Sequence, residues 1–179
     1  QAAYAIGNSV GIVARQIYDP DGQGETIDAQ LDGYEYAFER TKVLLQSENP
    51  IFEAGFQIPG ALAFADVMRR SSPDGGWEMV EVKASTSVKD YHRDDIAIQA
   101  HICRSSGLVL NRVYLAHVDR SFEYQGDGDY TGLLLENDLT IEAFGRTDEV
   151  AGWIRDAQDV VMFDQEPVLC PGAQCNTPF

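Results

Sequence analysis

The stretch IFEAGFQIPGALAFADVMRRSSPDGGWEMVEVK, residues 51–83, decides the fold. Its opening run from Ile51 to Ile58 is rich in Phe and Ile, Pro59-Gly60 interrupts it with a turn, and Leu62, Phe64 and Asp66 then fall on alternate positions, the period of a strand. Ser72-Pro-Asp-Gly-Gly76 is a second turn signal, and Trp77 to Lys83 alternates again before Ser85, Thr86 and Ser87 break it. Three antiparallel strands joined by tight turns are the economical reading.

Working outward, the period changes on both sides. Before the strands, Ile6, Val10, Val13 and Ile17 mark one buried helical stripe over Tyr4 to Tyr18. The breakers from Asp19 to Gly24 end that helix. A second helix is predicted from about Asp28 to Gln46, with Leu31, Tyr34, Phe38, Thr41 and Leu45 on one side and Asn49-Pro50 closing it. After the strands, Lys89 to Ser106 is helical, with Ile96, Gln99, Ala100 and Cys103 along one face and Gly107 as its stop. Val109 to Val118 then reads as a buried strand. A helix between the third and fourth strands permits a parallel crossover, so the sheet is expected to be mixed. Gly126-Asp-Gly128 is a turn, Tyr130 to Glu136 a fifth strand, and Thr147 to Phe163 a last helix carrying Val150, Trp153, Ile154 and Val161. The expected class is α/β, with a mixed central sheet of about five strands flanked by helices.

The chain has 179 residues, 44% hydrophobic and 23% charged, which suits a single globular domain and excludes wholesale disorder. Its longest apolar stretch, around Ala61 to Ala65, is far short of the roughly 20 residues a membrane span requires. Basic residues number 13 against 29 acidic ones, a net charge of −16, which argues against a partner held by general phosphate attraction. The expected organisation is one domain over 1–179. N-terminal helices occupy 1–50, a core 51–136, and a helix with a cysteine-bearing tail 137–179. The opening on Gln1 suggests an excerpt of a longer protein. Three cysteines indicate no internal disulfide framework, and the expected setting is cytoplasmic.

Side-chain alternation sends Glu81 and Lys83 to one face of the third strand and Val80 and Val82 to the other. Carboxylates on neighbouring strands, here Asp66 and Glu81, suit a hard cation such as Mg²⁺ or Mn²⁺, and a lysine beside them suits an attacking water or a developing negative charge. Alone, Glu-x-Lys on a strand is more often a solvated face with a weak ion pair. The surrounding order of elements separates the two readings.

That order resembles the PD-(D/E)xK nuclease superfamily, and in particular its RecB-like branch, which includes the CRISPR-associated RecB-like exonucleases. The matching text is Ile51-Phe-Glu-Ala-Gly-Phe56, Ala65-Asp-Val67, Val80-Glu-Val-Lys83 and Gln99-Ala-His-Ile-Cys103. Residues 83–99 are similar to a bacterial subgroup of that branch whose longer members carry a further exonuclease-like domain. The resemblance implies a restriction-endonuclease-like core in which Asp66 and Glu81 bind the metal, joined by the backbone carbonyl of Val82. Lys83 would serve the water, and Glu53 and Gln99 would support the site. Two positions depart from the pattern. Gly7-Asn-Ser-Val-Gly11 stands where many relatives place a histidine, and Cys103 stands where the fourth motif has a tyrosine.

The implied activity is a Mg²⁺- or Mn²⁺-dependent deoxyribonuclease, an exonuclease or DNA-end-processing enzyme of repair or recombination, acting on single strands or duplex ends. The alternative is a retired nuclease fold that binds or scaffolds within a larger DNA-processing protein. Lys89, Tyr91, His92 and Arg93 read either as a rim gripping a nucleic-acid phosphate or as an ordinary polar helix start. Cys170 and Cys175 have a spacing seen in iron–sulfur ligation. Two ligands hold no cluster, so one is expected only in a longer parent protein, and two unremarkable thiols are the competing reading. Asp19 to Gln30 echoes a calcium loop but ends on Gln30 in place of the required glutamate, which makes it a polar turn.

Overall fold

The computed structural model describes residues 2–71, 75–168, 170 and 172. Helix α1 (Ala2–Tyr18) leads into a two-residue strand β1 (Glu25–Thr26) and helices α2 (Ala29–Asp32) and α3 (Tyr34–Leu44). The antiparallel run β2 (Ile51–Ile58), β3 (Ala61–Ser71) and β4 (Gly76–Lys83) follows, then α4 (Asp90–Ser105), β5 (Leu110–Val118), β6 (Leu134–Asp138), α5 (Thr140–Gly145) and α6 (Thr147–Val161).

The strands form one six-stranded sheet in the order β1-β2-β3-β4-β5-β6. β1 runs parallel to β2, β4 runs parallel to β5 through the α4 crossover, and the remaining pairs are antiparallel. The fold is therefore α/β with a mixed sheet, as the change of period around residues 51–83 predicts, and with one strand more than expected. Two residues carry no readable periodicity, which is why β1 escapes sequence analysis: its register, Glu25 opposite Ile51, is set by the partner strand.

Alternation along the strands divides the interior into two cores. The larger holds Ile51, Met68, Met79 and Leu115 against Ile96 and Ile102 of α4, with Val150 of α6 beyond them. The smaller holds Phe52, Val67, Val80 and Ala116 on the other face, closed by Tyr18 of α1. Burial of each large aliphatic side chain contributes about 1.5–3 kcal/mol, so the larger core dominates stability. Among the described residues no helix is long and apolar enough to cross a membrane.

Two expected elements differ, and one helix is additional. The continuous helix over 28–46 is broken at Gly33, whose φ of 89° lies outside helical space and resets the chain direction. Asp28 caps the resulting α2, accepting from the Gln30 and Leu31 N–H groups at 3.1 and 3.0 Å. Leu31 is in consequence 80% exposed, while Phe38 and Thr41 keep the predicted buried side. The last strand lies over Leu134–Asp138, later than the predicted 130–136, because Tyr130 to Leu133 closes a turn. Helix α5, which follows β6 and is tied to β5 where Thr140 Oγ1 accepts from the Val113 N–H at 3.0 Å, has no counterpart among the expected elements. The hairpin at Pro59-Gly60 is as expected, with Gly60 at φ 78°. A Cβ there would lie 1.6 Å from Gln158 Nε2, which donates to the Pro59 carbonyl at 3.1 Å and so docks α6 on the turn.

Candidate active site

The β3–β4 ladder runs from Ser71 opposite Gly76 to Val67 opposite Val80 and ends there. The next positions on the two strands are Asp66 and Glu81. In place of a ladder bond, Asp66 Oδ2 accepts from the Val82 N–H at 2.7 Å. The same level is disturbed on the other side of β3. Phe52–Val67 and Ala54–Ala65 pair in register, and between them Glu53 adopts a left-handed φ of 58°, rare for a residue with a side chain. Both strands lose their alternation here: Ile51 and Ala54 share the larger core, as do Ala65 and Met68, with Phe52 and Val67 in the smaller one. Glu53 and Asp66 thereby face a cleft of about 670 Å³ bounded by α1, α2 and the sheet, whose lining includes Arg15, Tyr34, Phe64 and Val82.

Glu81 projects away from Val80 and Val82 and is 5% exposed. Its Oε1 lies 2.7 Å from Lys83 Nζ, and its Oε2 has no hydrogen-bond partner among the described residues. Lys83 Nζ is also 2.5 Å from Asp95 Oδ2, on α4. One turn further along α4, Gln99 is buried with its Oε1 unpartnered among the described residues. At the cleft, Arg15 Nη2 stands 3.7 Å from Glu53 Oε1.

These groups perturb one another. Burial, then the neighbouring Asp66 charge, raises the Glu81 carboxyl well above the usual range, against the pull of Lys83. Burial also raises Asp66; the Val82 N–H offsets part of this and Glu53 adds to it. Glu53 is raised by burial, with Arg15 opposing and Glu81 reinforcing. Burial works to lower the Lys83 ammonium, but Glu81 and Asp95 outweigh it and hold the group above its ordinary value. Lys83 is thus shared by Glu81 and Asp95 with Asp66 near enough to feel its charge, while Glu53 has Arg15 as its counter-charge, so carboxyl groups outnumber the cations among them.

Asp66, Glu81 and Lys83 are brought to one end of the β3–β4 ladder, Asp66 midway along β3 and the other two near the end of β4, with Glu53 and Gln99 beside them. The set divides: Glu53, Asp66 and Val82 line the cleft, whereas Glu81 and Lys83 are held with Asp95 on the α4 side. No three His, Cys, Asp or Glu side chains among the described residues converge as a ready ion site. The donor chemistry nonetheless suits a hard divalent cation, because a buried carboxylate oxygen without a partner is costly and an oxygen-seeking ion satisfies it.

The rim expected at Lys89, Tyr91 and His92 is corrected in part. Lys89 and Tyr91 are exposed, with Lys89 Nζ 5.5 Å from the Tyr91 ring. His92 is 2% exposed: its Nδ1 accepts from the Lys89 N–H at 3.2 Å, and its ring meets Tyr91 edge-on, so it closes the start of α4 instead of facing solvent. Cys103 is buried, its Sγ 4.0 Å from Met79 Sδ, and burial pushes its thiol up. Cys170 is exposed, and Cys175 lies outside the described residues. Sequence reasoning passed over Asp95 and Arg15. Asp95 stood in view in Asp94-Asp95, but only the packing of α4 on the sheet places it at Lys83.

No protein-family description matches the chain, and no curated protein resembles it significantly. A solved structure described as that of SSO0001 is similar at 16% identity and a TM-score of 0.35. The match covers 80% of this chain and 64% of that one, so the chain spans less than two thirds of that protein's length; a likeness this low carries no argument.

Proposed function

We propose that this chain is a divalent-cation-dependent nuclease that hydrolyses DNA phosphodiester bonds, an exonuclease or end-processing activity of repair or recombination. One observation carries the reading: the buried Glu81 carboxylate has an Oε2 unpartnered among the described residues and beside Asp66, where carboxylates outnumber the single ammonium of Lys83. Asp66 and Glu81, with the Val82 carbonyl, would hold Mg²⁺ or Mn²⁺. The bound cation would supply positive charge to a phosphate oxygen and acidify a water. Lys83, drawn toward the carboxylates by Glu81 and Asp95, keeps a fixed positive charge where the phosphate's negative charge develops. The Val82 N–H fixes the Asp66 carboxylate, and Glu53 and Gln99 back the pair. Within this reading the setting is cytoplasmic, in keeping with Cys103 as a buried thiol.

The second reading, a retired nuclease fold serving as a binding module, is favoured by the engagement of Lys83 with two carboxylates and by the lack of a preformed ion site among the described residues. Calorimetric titration with Mn²⁺ separates the two when paired with a DNA-degradation assay. The nuclease reading expects one Mn²⁺-binding event, lost in the Asp66→Ala, Glu81→Ala double variant, and Mn²⁺-dependent degradation lost in Lys83→Ala. Ion binding that survives the double substitution, with no degradation, would leave the binding module.

A further inference from the structure

We infer that the cleft beside the carboxylates seats one unpaired nucleobase of a nucleic-acid strand, with Tyr34 as its stacking surface. The inference rests on the nuclease reading only for the place of the phosphate. Tyr34, Phe64 and Phe38 form a row: Tyr34 and Phe64 have centroids 5.7 Å apart at 47°, and Phe64 and Phe38 stack at 6.1 Å and 22°. Phe38 is buried, so the row is anchored in the interior, while Tyr34 at its outer end is 56% exposed. Gly33, at φ 89°, restarts the chain so that Tyr34 opens α3 at the cleft mouth. An aromatic face held rigid from behind and open in front binds a base with little loss of side-chain freedom.

The rest of the cleft agrees. Its volume, about 670 Å³, falls in the range of small-ligand sites, suiting a nucleotide end and not a duplex. A Cβ added at Gly7 or Gly11 of α1, both on the lining, would meet nothing within 4 Å, so that side is open space. Phe64 and Asp66 are two residues apart on β3, about 7 Å along the strand, which puts a base at the aromatic row within one nucleotide of the carboxylates. Among the described residues Arg15 is the one basic side chain on the lining, and its 3.7 Å ion pair with Glu53 joins two partly exposed side chains, a weak contact that a phosphate can replace. With a net charge of −16 the chain gains little from general phosphate attraction, and stacking with a cation-bridged phosphate is the remaining source of affinity.

The test measures binding of a short fluorescent oligothymidylate, its abasic counterpart and a blunt duplex, each with Ca²⁺. Tight binding of the oligothymidylate, at least about tenfold weaker binding of the abasic strand, and a similar weakening in Tyr34→Ala with recovery in Tyr34→Phe are expected. Equal binding of the abasic strand, or an unaffected Tyr34→Ala, overturns the inference even if wild-type protein degrades DNA. Conversely, Tyr34-dependent binding without degradation under Mg²⁺ or Mn²⁺ keeps the base site and removes the nuclease reading. Preference for the duplex over the single strand also overturns it.

Discussion

Two ionic clusters share strands β3 and β4, and they are built on opposite terms. Near the hairpin end, Arg69 faces Glu78 across the ladder and bonds it at 2.9 Å, then reaches Glu136 of β6 at 2.7 and 2.9 Å. Its guanidinium lies 5.6 Å from the Tyr18 ring and 5.1 Å from the Tyr114 ring. Every charge there meets its opposite, and the result ties α1 and the edge strand to the sheet. At the other end the ladder has stopped, a side chain replaces a ladder bond, a residue with a side chain takes a left-handed φ, and a buried carboxylate oxygen is unpartnered among the described residues. Charges are matched at one end and left partly unsatisfied at the other, and that contrast is what the proposed cation site rests on.

The largest expected contrast comes from matched amide substitutions. Glu81→Gln should abolish Mn²⁺ binding in calorimetry and leave the metal-free protein as stable or more so, since it removes a charge that burial opposes. Glu78→Gln should do the reverse: ion binding persists, and chemical denaturation shows a loss of about 2 kcal/mol, less than for a fully buried pair because Arg69 is partly exposed. Loss of ion binding in Glu78→Gln would merge the two clusters and end the comparison.

Activity sharpens it next. If DNA is degraded, Asp95→Asn should lower kcat by about tenfold with little change in KM, because Lys83 loses one of two groups that position it. A change confined to KM would make Asp95 a binding residue instead. The pH dependence is a smaller effect. Glu81 and Asp66 are raised in the folded state, so the folded chain holds protons more strongly than the unfolded one. In chelator, stability from this pair is therefore present at low pH and falls as pH rises from the ordinary carboxylate range through the raised values. Thermal melts should show that decline in wild type, a shallower one in Glu81→Gln, and its removal by Mn²⁺. Smallest of all is Glu53→Gly. Release of the left-handed strain offsets the flexibility that glycine adds, leaving unfolding free energy within about 1 kcal/mol of wild type. A larger loss would mean that the Arg15 contact outweighs the strain.

Sequence reading reached the sheet through its local devices. Pro59-Gly60 and the alternation from Trp77 to Lys83 specify a hairpin and a third strand without help from the rest of the chain, and the spacing of Ile96, Ala100 and Cys103 specifies α4. It lost the thread where the determinant was a single backbone angle or a distant partner. Gly33 sat inside a periodic run that looked continuous, and Glu25–Thr26 is a strand only because Ile51 and Phe52 lie beside it. His92 read as a rim residue because sequence shows residue type, while its burial depends on how α4 sits.

By itself the sequence determined the α/β class, because strand alternation and turn chemistry act within a few residues, whereas Asp66, Glu81 and Lys83 were singled out through the resemblance and not by their spacing alone. The tertiary structure decided the rest: that Asp95 and Glu81 share Lys83, that Arg15 and Tyr34 stand at the Glu53–Asp66 cleft, and that Glu81 keeps an oxygen unpartnered among the described residues. Burial and charge coupling are properties of groups far apart in the chain, and only the packing of α1 and α4 on the sheet brings those groups together.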